Sequence, residues 1–462
     1  MKKRGTSTGI VIGSLIIGLL IGAAIVYAAG PSLGLGGKTT TITTGSVTFT
    51  TTVGSGATGS SGLCNGQTIP IGALNDLSSQ LSAQGQGDLA AEQIAIQDLN
   101  SYLKTAGCSL TFTLDSDDYH LDTPTALTDI QAMYASGVRV VVGPLDSGTA
   151  NGILSYANSN HIVLISPSST SPALHFNDVT NVYLFRTAPN DAAQGQADAR
   201  EMVDRGAQAV IIINRDDTYG NGLANATKSF LEKDGISAAN IKGPYSYPTT
   251  TADFSTLITQ IGSDYSSLSS AVGASHVAIF SVSFQEIGTL LPQAKTENKA
   301  LLSTTLPWFG VDGTAQNTVL SNSTTGPVVA QVRLPSTLFN VVNNSKTLDF
   351  YNRFKGTSTL AKITGGGAFY TLEGYDDVWL AALSILSAGK NDGTAIHAIF
   401  PTVAADFYGL TGWEGLTGND RIPGSYQIWK VVATTSSSSG YGWVLAGTWD
   451  YNTDTVTWIS PP

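Results

Sequence analysis

Residues 137–174 read GVRVVVGPLDSGTANGILSYANSNHIVLISPSSTSPAL. Val138 to Val142 is β-branched at every position but Arg139, ending in three consecutive valines, as suits a parallel strand buried on both faces. Gly143-Pro144 ends it, a helix is predicted over Thr149 to Asn158, and Ile162 to Ile165 is a second apolar strand ended by Ser166-Pro167. A strand, a turn, a helix and another strand in that order is a βαβ unit, and its repetition means a doubly wound α/β fold.

The same alternation extends in both directions. Upstream, Ile69 to Leu74 reads as a strand, Leu89 to Lys104 as a helix, Leu110 to Leu114 as a strand and Pro124 to Ala135 as a helix. Downstream, a second series starts after Arg186: helix Ala192 to Arg205, strand Ala209 to Ile213, helices Tyr219 to Lys233 and Phe254 to Ile261, strand His276 to Phe280 and helix Glu286 to Lys295. A long helix, Phe369 to Ser387, and two strand-like pieces, Tyr426 to Val432 and Trp443 to Trp449, follow. With 462 residues and about 150 per domain, two such lobes with a cleft between them are expected. Ligands of open α/β sheets bind outside the carboxyl ends of the strands.

Composition removes whole classes of function. Charged residues are 12% of the chain, and 23 Lys+Arg stand against 34 Asp+Glu for a net charge of -11, so no basic footprint for nucleic acid exists. Two cysteines and five scattered histidines offer no metal-ligand spacing, and no cofactor is implied. There is no Gly-x-Ser-x-Gly elbow, phosphate-binding loop or metal-spaced His pair, and Gly34-Leu35-Gly36-Gly37 lies in the leader rather than after a strand, so no enzyme is expected. Asp115-Ser116-Asp117-Asp118 lacks the spacing of a calcium loop and reads as a solvated turn.

The N-terminus carries Met1-Lys2-Lys3-Arg4 and then no charge until Lys38, with an apolar run from Gly9 to Ala29. At 1.5 Å per residue that run reaches roughly 32 Å, enough to cross a hydrocarbon core of about 30 Å. Residues 1–37 are therefore read as a signal or membrane anchor with the remainder exported. Three processings fit: retention as an anchor, cleavage after Tyr27-Ala28-Ala29, or cleavage near Arg4-Gly5 ahead of the apolar run. No cysteine follows the run to carry a lipid. Residues 38–61, almost entirely Thr, Ser and Gly, bury too little apolar surface to order themselves and read as a flexible stalk. Asn225-Ala226-Thr227, Asn322-Ser323-Thr324 and Asn343-Asn344-Ser345 are permissible glycosylation sites in an exported chain. Cys64 and Cys108 each precede a predicted strand, and if those strands are neighbours an extracytoplasmic disulfide joins them.

At the strand ends, Gly143-Pro144-Leu145-Asp146-Ser147-Gly148 and Ser166-Pro167-Ser168-Ser169-Thr170-Ser171-Pro172 present hydroxyls and free amides at helix starts, which suits a small anion such as a carboxylate. The alternative is that Ser147 and Ser171 are only helix caps, with Pro172 at the first helical position. Tyr219 and Asp312 follow later strands, and a carboxylate facing an anion pocket suits a zwitterion.

In order, IGALNDLSSQLSAQGQGDLAAEQIAIQDLN (71–100), the quoted stretch, YLFRTAPNDAAQGQA (183–197), DDTYGNGLANATKSFLEKDG (216–235), ADFSTLITQI (252–261), WFGVDGTA (308–315), YTLEGYDDVWLAALSI (370–385), GNDRIPGSYQIWKVV (418–432) and GWVLAGTWD (442–450) resemble the type I periplasmic binding proteins, in the branched-chain amino acid-binding branch that serves ABC importers. The resemblance runs from about Ile69 to Asp450 and implies two lobes joined by three crossings: 66–187 with 335–405, and 188–334 with 406–460. It implies that Ser147 and the Ser168, Ser169, Thr170 loop bind the ligand carboxylate, that Asp312 binds the ammonium, and that Tyr219 covers the ligand from the second lobe. Where relatives place an aromatic in the first pocket loop this chain has Gln84, and the second-lobe aromatic falls at Ser283 or Phe284. The implied function is hinge closure around an amino acid and delivery to permease and ATPase subunits. The second reading is a sensor ectodomain or an amide- or urea-binding protein of the same fold.

Overall fold

The computed structural model describes residues 41–44, 47–50, 62–340, 344–365 and 367–462; the segment read as signal or anchor, 1–37, lies outside them. Among the described residues no helix is long and apolar enough to cross a membrane. Within the segment expected to be an unstructured stalk, β1 (Thr41–Thr44) and β2 (Val47–Thr50) pair antiparallel, Thr41 opposite Thr50. Alternating Thr, Ile, Val and Phe supply the strand propensity, and a lone two-stranded hairpin is marginal in water.

The first lobe is built from β3 (Thr68–Asn75), α1 (Ser82–Thr105), β4 (Thr111–Asp118), α2 (Thr123–Ala135), β5 (Val140–Val142), α3 (Ser147–Asn160), β6 (Val163–Ser166) and β7 (Leu184–Arg186). These strands lie in the order β4-β3-β5-β6-β7, all parallel. Val140, Val141 and Val142 are fully buried, as the unbroken β-branched run requires. Helix α1 starts seven residues before the predicted Leu89, through Gln84-Gly85-Gln86-Gly87, a stretch that reads as a breaker. A Cβ on Gly85 would sit 1.9 Å from the Asp76 carbonyl oxygen, so the glycine lets the helix start against the end of β3. The acidic run 115–118 is the second half of the edge strand β4, paired with Gly72 to Asn75, rather than a turn: an edge strand leaves its charged side chains room to reach water.

The second series comprises α4 (Asp191–Asp204), β8 (Ala209–Arg215), α5 (Thr218–Lys233), β9 (Ile241–Tyr247), α6 (Ser255–Val272), β10 (Val277–Val282), α7 (Ile287–Glu297), β11 (Trp308–Phe309) and α8 (Gly326–Val332). The parallel order is β11-β10-β8-β9. Strand β9 escapes sequence reading because Pro244 interrupts it, which an edge position tolerates.

The remainder contributes β12 (Ser336–Phe339), α9 (Ser345–Phe354), α10 (Ser358–Thr364), α11 (Ala368–Ala388), α12 (Gly393–Asp406), β13 (Leu416–Thr417), β14 (Asp420–Arg421), β15 (Tyr426–Ala433), β16 (Tyr441–Asp450) and β17 (Thr455–Trp458). Two segments depart from the expected lobe boundaries. Strand β12 pairs with β15 in an antiparallel sheet β12-β15-β16-β17, so 336–339 joins the C-terminal strands and not the first lobe. Strands β13 and β14 complete the first sheet, with Asp420 opposite Arg186, so 416–421 belongs with the first lobe and not the second. Pairing is decided by backbone hydrogen bonds between distant segments, which no local pattern encodes.

Both sheets have their switch points, where strand order reverses, between the first and third strands: β3 and β5 in one, β8 and β10 in the other. Crevices open there at the carboxyl ends, and the two face each other.

Cys64 and Cys108 form a disulfide at the amino ends of the adjacent β3 and β4, at a sequence separation of 44. Closing a loop of that size in the unfolded chain contributes about 4 kcal/mol. Reduction, or Cys108→Ala, is expected to lower the thermal midpoint by several degrees; an unchanged midpoint would mean the bridge adds no stability.

Candidate functional site

A cavity lies between the two switch points. From the first lobe it is lined by Leu81 and Gln84 after β3, Leu145, Asp146 and Ser147 after β5, and Ser168 after β6. From the second come Tyr219 after β8, Phe284 after β10, and Asp312 and Gly313 after β11. Tyr370, in the first turn of α11, completes the wall. The structure therefore brings together Gln84, Ser147, Ser168, Tyr219, Phe284 and Asp312, six of the eight residues singled out from sequence. Ser169 and Thr170 are buried and lie beside the cavity rather than on its wall.

Local chemistry sorts these hydroxyls. Asp146, not Ser147, caps α3, accepting the Thr149 N–H at 2.8 Å and the Tyr119 hydroxyl at 2.8 Å. Ser147 is thereby free of capping; its Oγ accepts the Ser171 N–H at 3.1 Å and lies 3.4 Å from Ser169 Oγ, which leaves its own proton to donate. Ser168 is committed: its hydroxyl donates to the Leu145 carbonyl at 2.8 Å and accepts from Gln84 Nε2 at 2.7 Å. Thr170 Oγ1 is buried and adjoins the Asp191 carboxyl. Ser171 does cap, accepting the Ala173 N–H, and its hydroxyl donates across the cleft to the Thr218 carbonyl at 2.7 Å.

On the opposite wall Asp312 is the focus. Its Oδ1 accepts Tyr219 OH at 2.5 Å, Gln194 Nε2 at 3.1 Å and the Gly313 N–H at 2.9 Å, and Oδ2 accepts Tyr370 OH at 2.5 Å. Burial, and after it the neighbouring Asp312 carboxylate, pushes both phenols well above their ordinary range, so both remain donors. The rings of Tyr219 and Phe284 stack 5.2 Å apart, and the Arg215 guanidinium lies 3.6 Å from the centre of the Phe284 ring. Ser283 turns away to Ser281 Oγ at 3.1 Å, so of the two candidate positions Phe284 supplies the aromatic wall.

The lobes are closed on each other. Gln80 donates to the Thr249 carbonyl at 2.9 Å and accepts from Arg215 Nη1 at 3.0 Å, and Gln285 donates to the Ser79 carbonyl at 3.3 Å. Arg215 is itself held by Asp217 at 2.5 Å and Glu286 at 3.1 Å.

Three functional candidates escaped sequence reading. Tyr370 lies within a correctly expected helix, but nothing local says that its first turn reaches Asp312. Gln194 is an ordinary helical residue by pattern. Asp191 reads as a helix-start acid, yet it is fully buried, and burial followed by the charge of Asp312 raises its pKa well above the ordinary range while the Thr170 hydroxyl opposes the shift. A buried acid beside a second one is a place where a cation would be stabilised.

The family model described as periplasmic binding protein matches residues 68–426. The chain belongs to that family. Its fold is that of the type I binding proteins. An uncharacterized protein of Methanocaldococcus jannaschii is 30% identical over 84% of this chain and 91% of the relative. A leucine-, isoleucine-, valine-, threonine- and alanine-binding protein of Pseudomonas aeruginosa is 24% identical over 76% of this chain and 85% of the relative. Among solved structures, a leucine-binding protein of Thermotoga maritima superposes with a TM-score of 0.67 at 19% identity, covering 83% of this chain and 99% of that one. A solute-binding protein of R. palustris in complex with 4-hydroxybenzoate does so at 0.62 and 15% identity, covering 83% and 97%. This periplasmic binding protein is thus an extracytoplasmic solute-binding protein and not an enzyme.

Behind the cleft, Glu373, Asp376 and Glu414 bring carboxylate oxygens within 4.8 Å of one another. The Arg421 guanidinium already sits among them, bonded to Glu373 and 2.8 Å from Glu414. Burial raises the pKa of Glu414 to about 7, and of Glu92 and Glu201 to about 8. In the unfolded chain these groups titrate near 4.5, so the folded protein holds more protons in between, and stability falls as pH rises from about 5 to about 8. The thermal midpoint is expected to be higher at pH 5 than at pH 8, and Glu201→Gln to flatten the difference. A midpoint that rises from pH 5 to pH 8 would contradict this assignment.

Proposed function

We propose that this protein captures an α-amino acid with an apolar side chain by closing its two lobes, and delivers it to the permease and ATPase subunits of an ABC importer. The observation that carries the reading is the inter-lobe cleft with a buried carboxylate, Asp312, on one wall and the uncommitted Ser147 hydroxyl on the other, with Thr170 behind it. A zwitterion matches that separation of charge. Its carboxylate accepts from Ser147 and the Thr170 loop, and its ammonium faces Asp312, with Tyr219 covering it.

The apolar lining, Leu81, Leu145 and Phe284, supports an apolar side chain. Gln84 and Ser168 satisfy each other, and so define a wall more than a donor pair. Because the ligand touches both lobes, binding favours the closed form by its differential contacts. A micromolar affinity corresponds to about -8 kcal/mol, within reach of a few charge-assisted hydrogen bonds and apolar burial. Residues 1–37 would tether the protein to the outer face of the membrane, or be removed, and 38–61 would act as the spacer.

The test is a thermal shift of residues 62–462 against amino acids, their amides, urea, sugars and benzoates. Ligand at 100 times its Kd adds about 2.7 kcal/mol of stability, so leucine, isoleucine or valine should raise the midpoint clearly. Asp312→Ala should weaken amino acid binding by about 3 kcal/mol, roughly 100-fold, by leaving the ammonium buried and unpaired. Equal binding by Asp312→Ala, or shifts with sugars or urea alone, would defeat the reading. Shifts with benzoates alone would favour an aromatic acid, as in the R. palustris complex.

A further inference from the structure

Arg186 ends β7 and is completely buried. Its register partners are Ser166 on β6 and Asp420 on β14, so it stands between the strand that leads into the Ser168–Ser171 loop and the strand that leads out of the first lobe toward β15. Its side chain reaches both. Nε donates to Asp420 Oδ1 at 2.6 Å, and Nη1 donates to the carbonyls of Ser169 at 2.9 Å and Ser171 at 2.8 Å.

The intervening carbonyl, that of Thr170, accepts the Asp191 N–H at 2.8 Å. The three consecutive backbone carbonyls of Ser169, Thr170 and Ser171 are therefore taken by groups of the crossing segment 186–191. Asp420 closes the circuit. Its Oδ2 accepts from Asn190 Nδ2 at 2.9 Å and lies 2.7 Å from His175 Nδ1, and Asn190 caps α4 through the Ala192 N–H at 3.0 Å. Helix α4 in turn sends Gln194 to Asp312.

We infer that Arg186 and Asp420 are positioning residues: the pair holds the carbonyls of Ser169 and Ser171, the two residues that donate to Ser147 Oγ, so that Ser147 faces the ligand carboxylate, and fastens that loop to the crossing through which the lobes move. The inference rests on the carboxylate reading of the cleft. A guanidinium suits the task because its planar fork serves one anion and two carbonyls at once, which the compact ammonium of lysine cannot do.

The experiment compares the parent with Arg186→Lys, which keeps the charge and loses the fork, and Asp420→Asn, which keeps the shape and loses the charge. For each, calorimetry gives Kd for the acid that the parent binds and for its carboxamide, leucine and leucinamide in the first instance, and the ligand-free thermal midpoint is recorded. The expected result is an affinity for the acid at least tenfold weaker, with the carboxamide changed by less than about threefold, so that discrimination between acid and amide collapses. A role in stability alone predicts a lower midpoint with that discrimination intact, and such a result in either variant that folds overturns the inference. A parent that binds no carboxylate ligand overturns the reading of the cleft and this inference together. A parent that binds one, with variants that discriminate as well as it does, overturns this inference alone.

Discussion

A carboxylate taken out of water where two lobes meet sets the terms for this protein. Asp312 accepts four hydrogen bonds, from two phenols, an amide and its neighbour's N–H, and these come from both sides of the cleft. An ionised group in that position is tolerable only while the donors are in place. The closed arrangement of β8, β10 and β11 against α11 is thus tied to how one charge is satisfied, and a cationic ligand group competes on the same terms.

Around that carboxylate the molecule is organised to leave little uncommitted polar chemistry inside the cavity. Ser168 and Gln84 satisfy each other, Asp146 is spent on capping α3 and on Tyr119, and Ser171 bridges to the second lobe. What stays open on the first-lobe wall is narrow: the Ser147 proton. A site built by elimination in this way discriminates by leaving the wrong ligand's polar groups unpaired. The buried acids behind the cleft, Glu92, Glu373, Asp376, Asp377 and Glu414, have one guanidinium, Arg421, among them; burial shifts their titration upward, and protons carry part of the balance.

Much of this was legible in the chain. The valine-rich run Val138 to Val142, the hydroxyl-rich turns after it and after Ile165, and the acid in Trp308-Phe309-Gly310-Val311-Asp312 are local signals, and they led to the right strand ends. The C-terminal strands were read within one or two residues at most boundaries. The misses have specific causes. The Gly85 and Gly87 stretch is helical because glycine allows the helix to start against Asp76. Strand β9 is interrupted by a proline that an edge accepts. Asp115 to Asp118 extends a strand because β3 pairs with it along its full length.

The sequence by itself determined the two α/β series, the apolar strands, the placement of both cysteines ahead of strands, and the strand-end turns that carry Ser147, Ser168, Tyr219 and Asp312, because each depends on period, composition or turn chemistry within a few residues; Gln84 and Phe284 came from the family resemblance. The tertiary structure alone decided that β12 pairs with β15 and that β14 pairs with β7. It also decided that Asp146 rather than Ser147 caps α3, that Tyr370, Gln194 and Asp191 converge near Asp312, and that Arg186 serves the Ser168–Ser171 loop. These are contacts between segments tens to hundreds of residues apart. Their partners are selected by which buried donors and acceptors remain to be satisfied once the chain has closed on itself.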